Sequence, residues 1–157
     1  MSRKQRPLPG DETEQGPYVG ALLRLAWQRV RERIYSGVQS EGYSDLSAAH
    51  IGLFRYESLD GQRLTKLAQR MQITKQSVHD LLRHLEQRGY AERRPDPEDK
   101  RSRLIYLTPR GRKLEAIVRK YARLAEHELA NELGQECFQE FRATLRRIKG
   151  LSPQFVR

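Results

Sequence analysis

The chain has 157 residues, 37% hydrophobic and 32% charged, with 30 Lys/Arg against 20 Asp/Glu and a formal net charge of +10. That length supports one domain with a real core but hardly two, and the basic excess points to an anionic partner, nucleic acid or an acidic membrane surface. No run approaches the roughly 18 apolar residues a bilayer span needs, no apolar leader opens the chain, and the single Cys137 excludes an intrachain disulfide, so a cytoplasmic protein is expected.

Residues 1–17 are polar, carry Pro7, Pro9, Gly10, Gly16 and Pro17, and read as a flexible arm; residues 18–157 read as a single domain. From Tyr18, the apolar residues Val19, Leu22, Leu23, Ala26, Trp27, Val30 and Ile34 recur every three or four positions, which predicts a helix over 18–36 ended by Gly37 and Gly42. Ser47 is the expected N-cap of a second helix over 48–59, and Asp60-Gly61 turns the chain. Thr65 is expected to cap a short helix with Leu67, Ala68 and Met71 inward. Gln72-Ile73-Thr74 makes the next turn. A helix over 75–88 follows, with Val78, Leu81, Leu82 and Leu85 as its apolar stripe and Gly89 as its stop.

A basic hairpin follows, from Tyr90 through Pro95-Asp96-Pro97-Glu98-Asp99-Lys100-Arg101 and back along Leu104 to Leu107. Thr108-Pro109 is a strong helix start. A long amphipathic helix runs from there to Leu133-Gly134, and a last helix carries Cys137, Phe138, Phe141, Leu145 and Ile148, with Cys137 expected as a buried thiol. The fold class is therefore mainly α with a small β-hairpin (α+β): a winged helix-turn-helix lobe at about 47–108 with further helices at about 18–36 and 109–150.

The charge sits on that lobe. Residues 62–113 hold 14 Lys/Arg and 6 Asp/Glu, a net of +8, against +2 for the remainder. A major groove about 12 Å wide accepts one helix, and the helix after the turn enters it with its N-terminal residues on the base edges. That assigns Thr74, Lys75, Gln76, Ser77 and His79 to the DNA surface, with Thr65 beside them at the start of the preceding helix. Gln76 suits adenine and Lys75 guanine or phosphate, while Arg83 suits phosphate. His79 is expected to face solvent without a fixed partner. On the hairpin, Lys100, Arg101 and Arg103 suit the narrow minor groove. Asp96 reads as a turn former. Asp99 either orients the Arg101 guanidinium or simply makes the turn.

Asp96-Pro97-Glu98-Asp99-Lys100-Arg101, followed by Leu107-Thr108, resembles the wing signature of the multiple-antibiotic-resistance regulator (MarR) family. Ile73-Thr74-Lys75-Gln76-Ser77-Val78, Leu85-Glu86-Gln87-Arg88-Gly89 and Glu92-Arg93 resemble its recognition helix and first wing strand. The resemblance implies a homodimeric repressor of a pseudo-palindromic operator, with dimerisation helices at about 18–36 and 109–150. It also implies release from double-stranded DNA by a small aromatic or phenolic effector, and Trp27, Tyr35, His50, Phe54 and Tyr56 would form the wall that binds it.

No cofactor or metal is expected: His50, His79, His84 and His127 lack ligand spacing, and no glycine-rich phosphate loop, HExxH or nucleophile elbow points to an enzyme. The principal rival is a non-specific or architectural DNA-binding protein without a ligand, held by phosphates alone. A protein-only interaction module would leave the charge concentration unexplained.

Overall fold

The computed structural model describes residues 16–55, 58–99 and 101–150, so the N-terminal arm, Tyr56 and Lys100 lie outside the described residues. Among the described residues there are six α-helices and a small antiparallel sheet. In chain order these are α1 (Val19–Ser40), α2 (Ala48–Gly52) followed by a 3-10 turn (Leu53–Arg55), β1 (Gln62–Arg63), α3 (Leu64–Met71), α4 (Lys75–Gln87), β2 (Ala91–Pro95), β3 (Arg103–Leu107), α5 (Pro109–Leu133) and α6 (Gln135–Gly150). The strand order is β1-β3-β2, and the sheet packs against α3, α4 and α5. No described helix is long and apolar enough to cross a membrane.

α1 runs through Gly37 rather than stopping there. A side chain at Gly37 would place its Cβ 2.1 Å from the Tyr121 ring, so this glycine lets α5 press against α1. The stop is Gly42, at φ +92, with Gln39 Nε2 donating to the carbonyls of Tyr43 and Leu46 across the turn. The predicted 48–59 helix is also shorter than its apolar content suggested. Ile51, Gly52, Leu53 and Phe54 are all buried, which no single helical stripe can achieve, and the chain tightens into the 3-10 turn as it crosses the core.

Thr65 does not cap α3. Gln62 and Arg63 pair with Ile105 and Leu104, which holds Arg63 extended and makes it the N-cap, leaving Thr65 exposed in the first turn. Gln72 closes α3 in the left-handed region at φ 53, and Ile73 N–H reaches back to the Ala68 carbonyl at 3.2 Å. Thr74 caps α4 by accepting from Ser77 N–H at 3.0 Å. Gly89, at φ +71, ends it, with Tyr90 N–H on the Leu85 carbonyl.

Val78, Leu82 and Leu85 of α4 pack with Leu67, Phe54, Leu59, Tyr90, Ile105, Leu107, Leu114 and Val118 in one core. Asp60 locks the sheet to α5: one carboxylate oxygen accepts from Leu107 N–H and the other from Arg112. Thr108 caps α5 through Gly111 N–H, with Pro109 in its first turn. On α6 Phe138 is buried, but Cys137, one residue and about 100° around the helix, is exposed, contrary to the expected buried thiol.

Candidate nucleic-acid interface

α4 presents one face outward because Val78, Leu82 and Leu85 turn the other into the core. At 3.6 residues per turn the centre of the outward face is Gln76, Asp80, Arg83 and Gln87. Lys75, His79 and Glu86 flank it on the wing side; Ser77, Leu81 and His84 flank it on the α2 side. No acidic residue occupies the first turn, so the positive end of the helix dipole and its amide groups remain available to a phosphate.

His79 is not a free solvent-facing ring. It is half-buried, and Arg93 on β2 donates to its Nδ1 at 3.2 Å while clasping Glu86 with the rest of the guanidinium. The wing is thereby fastened to α4. Its strands pair from Ala91–Leu107 to Pro95–Arg103.

The loop between them is built by its two aspartates. Asp96 is only 3% exposed, accepts from Glu98 N–H at 2.9 Å and pairs with Arg63 at 2.5 Å. The Glu98 amide, assisted by Arg63, holds the Asp96 carboxyl below its ordinary range despite the opposing effect of burial. Asp96 thus forms the turn, as expected, and also anchors the wing to β1. Asp99 makes the turn: it accepts from the backbone N–H of Arg101 at 3.0 Å and from the Ser102 hydroxyl at 2.9 Å. Its bond to Arg101 is to the main chain, so the side chain is not what it orients.

Ion pairing sorts the cations of the lobe. Arg63, Arg83, Arg93 and Arg94 are paired with Asp96, Asp80, Glu86 and Glu92, and Arg112 with Asp60. Lys75, Arg101 and Arg103 are exposed and have no ion pair among the described residues. The positive charge left without an internal partner therefore includes the start of α4 and the wing. Gln76 donates to Asp80 at 3.1 Å, and Arg83 donates to the same carboxylate at 2.8 Å. Asp80 escaped the sequence reading, although its spacing of four from Gln76 and three from Arg83 was visible there.

The four described residues of the expected effector wall are placed differently from one another, Tyr56 lying outside the described residues. The Arg55 guanidinium lies 4.2 Å from the Trp27 ring. Tyr35 is half-buried against the core and Phe54 lies wholly within it. His50 stacks on His84 with ring centroids 4.2 Å apart and takes Ser47 N–H on its Nδ1 at 3.0 Å. A recess of about 520 Å³ between α2 and α4 is lined by His50, His84, Ile73 and Leu81 among others, and Trp27, Tyr35 and Phe54 are not on it. Among the described residues no three His, Cys, Asp or Glu side chains cluster as metal ligands.

The profile of the MarR family matches residues 53–102, from the 3-10 turn to the end of the wing loop. Beyond that lobe, the crystal structure of MarR superposes over 87% of this chain and 92% of its own, at 25% identity and a TM-score of 0.72. Residues 53–102 thus match the MarR family model, and the rest of the chain shares the fold of the MarR crystal structure.

A second MarR-like structure, the transcriptional repressor CouR bound to a 23-mer DNA duplex, is 26% identical, with 84% of this chain and 92% of that one aligned at a TM-score of 0.70. A MarR transcriptional regulator from Methanosarcina mazei Go1 shares the fold at 22% identity, covering 83% of this chain and 92% of its own at a TM-score of 0.71. No curated protein matches by sequence. The profile match runs from the 3-10 turn to the wing loop, so α1, α2, β3, α5 and α6 lie outside it, while the structural match covers 87% of the chain.

Proposed function

We propose that this MarR-family chain is a sequence-specific, cytoplasmic transcriptional regulator, a homodimeric repressor of a pseudo-palindromic operator that a small aromatic or phenolic effector releases. The observation that carries the DNA reading is the distribution of charge: Lys75, Arg101 and Arg103, with Lys66 and Arg88, have no ion pair among the described residues, while Arg63, Arg83, Arg93 and Arg94 are paired. Lys75 and the amide end of α4 meet the major groove, with Gln76, Ser77 and His79 near the base edges. Arg101, Arg103 and Lys100 reach the flanking minor groove. Thr74 and Asp99 keep this surface in shape, and Thr65 lies beside it.

The dimer reading rests on apolar surface that a monomer leaves open. Tyr18 is 91% exposed, and Val19, Leu22 and Leu25 on α1, Leu133 on α5 and Phe141 and Ile148 on α6 are exposed with it. Two copies related by a two-fold axis would cover these helices and set two α4 helices about one DNA turn apart, ~34–36 Å.

Fluorescence anisotropy on the duplex upstream of the protein's own gene, against a scrambled duplex at two salt concentrations, tests the regulator. Discrimination of roughly a thousandfold that survives high salt supports it. Equal, steeply salt-dependent affinity for these and for duplexes selected from random DNA would leave the architectural reading. Light scattering on the purified protein tests the dimer, and a monomer at micromolar concentration would remove it.

A further inference from the structure

We infer that Asp80 is a positioning residue for base readout: its carboxylate holds Gln76 in a reading orientation and keeps Arg83 from acting as a non-specific phosphate anchor. The inference rests on the DNA reading proposed above. Asp80 sits at the centre of the outward face of α4, diametrically away from Val78, Leu82 and Leu85. A carboxylate in that place faces the acceptor-rich floor of the major groove and two phosphate backbones, where an unshared negative charge opposes binding. Here the charge is shared. Arg83 NH2 lies 2.8 Å from Oδ1, and Gln76 Nε2 lies 3.1 Å from both carboxylate oxygens.

The hydrogen-bond inventory gives the consequence. The Gln76 amide nitrogen carries two protons, and Asp80 takes one of them. That fixes which end of the amide is nitrogen and leaves one N–H and the carbonyl oxygen. These are one donor and one acceptor, the pair that adenine N7 and N6 require. Without Asp80 the amide can rotate by half a turn, and reading adenine then costs the ordering of a free side chain. Arg83 is affected in the opposite sense. Held by Asp80, it is partly neutralised; released, it is a long cation free to reach any phosphate.

The two effects separate Asp80 from a residue that merely supports the fold. Loss of a fold-supporting residue lowers specific and non-specific affinity together. Loss of Asp80 should lower discrimination while raising non-specific affinity.

The test uses the full-length protein. Wild type, Asp80→Ala and Asp80→Asn are each put through selection from a duplex library with a randomised core. Binding is then titrated on the selected and a scrambled duplex across a salt series, with thermal melts to show that each variant is folded. In Asp80→Ala we expect the selected base at the Gln76 position to degenerate, the ratio of specific to non-specific affinity to fall about tenfold, and the salt slope to steepen by ~0.9 for the phosphate contact Arg83 gains. Asp80→Asn keeps the shape and one acceptor but not the charge, so it should show the steeper slope with part of the base preference retained. Unchanged discrimination in both variants, or a parallel fall of both affinities in a folded protein, overturns the inference. A wild type that selects no sequence overturns the regulator reading itself, and the wild-type arm tells the two failures apart.

Discussion

Arg93 clasps Glu86 with two prongs of its guanidinium, Nε at 2.9 Å and NH2 at 2.7 Å, each on a different carboxylate oxygen. The arginine belongs to the first strand of the wing and the glutamate to the last full turn of α4, so the ion pair fastens together the two parts proposed to meet DNA. Its geometry is the parallel fork that gives arginine–carboxylate pairs their directionality. Both side chains are more than two-thirds covered, at 19% and 28% exposed, which shields the pair from the screening that makes open surface pairs nearly worthless.

Truncating either partner should therefore cost about 1–2 kcal/mol of stability, and the double variant hardly more than one single. Urea melts of Arg93→Ala, Glu86→Ala and the pair give a coupling energy of about 1–2 kcal/mol on this account. A cycle that closes to zero would mean the wing is placed by its strand pairing alone.

Arg101→Ala should weaken DNA binding by about 1–3 kcal/mol, because its guanidinium has no internal acid to lose and its contribution lies in the complex. Gln76→Ala should relax the preference at one operator position and leave the salt slope unaltered. Anisotropy on single-base operator variants separates them. Full affinity in the Arg101 variant, or a uniform loss across sequences for the Gln76 variant, would reassign those side chains.

Much of this architecture was legible in the chain and some of it was not, for identifiable reasons. The stripe Val78, Leu82, Leu85 with Thr74 before it and Gly89 after it is long, capped and strongly periodic, and α4 lies where that pattern placed it. Thr108-Pro109 set the start of α5 equally well. β1 was invisible because two residues carry no period; Gln62 and Arg63 become a strand only by pairing with Ile105 and Leu104, far downstream. That pairing in turn displaced the helix start from Thr65. Gly37 was misread because a helical glycine and a terminating glycine look alike until Tyr121 supplies the neighbour. The role of Asp80 is not legible from spacing alone, because an acid on the outward face of a basic helix looks like ordinary surface until Gln76 and Arg83 are seen to converge on it. The partners of His79 and Cys137 depend on what packs beside them, which spacing along one helix does not reveal.

Two glycines should respond unequally to alanine. A Cβ at Gly111 would fall 1.9 Å from the Tyr90 carbonyl oxygen, a main-chain atom already accepting from Thr108 N–H, whereas at Gly37 it would meet the Tyr121 ring. A ring can tilt; the main chain at Tyr90, just before β2, is held by its N–H on the Leu85 carbonyl and by Thr108 N–H on its own carbonyl. Gly111→Ala should cost roughly 3 kcal/mol or more, while Gly37→Ala should cost about 1–2, part of its strain being offset by helix propensity. Equal melting temperatures for the two variants would contradict this ordering.

Acid should destabilise the protein in two separate windows. Burial, reinforced by the neighbouring His84, lowers the folded His50 pKa from its ordinary 6.5. The unfolded chain then binds the extra proton first, so the contribution of neutral His50 is complete above pH 6.5 and is lost as pH falls below it. The Asp96 carboxyl, lowered from 3.8 by the Glu98 amide and Arg63, contributes above that value and loses its contribution as pH falls through its folded pKa. Melting curves against pH for wild type, His50→Gln and Asp96→Asn should lose the upper and the lower step respectively. An unchanged profile in either variant would remove that group as the cause.

The close approach at Gly37 joins parts of the chain that are made far apart in time. Arg29 meets Glu132 and Arg33 meets Glu128, separations of 103 and 95 residues. At ribosomal rates of ~5–20 residues per second, α1 leaves the synthesis machinery roughly 5–20 s before the segment of α5 that covers it. During that interval its apolar stripe, with Val30, Ile34 and Val38, lacks the cover that α5 supplies and has only the nearer contacts of α2. The arginines and glutamate that crowd the same helix between Arg24 and Arg33 keep this waiting segment dissolved. α1 is thus made well before α5 completes its seat.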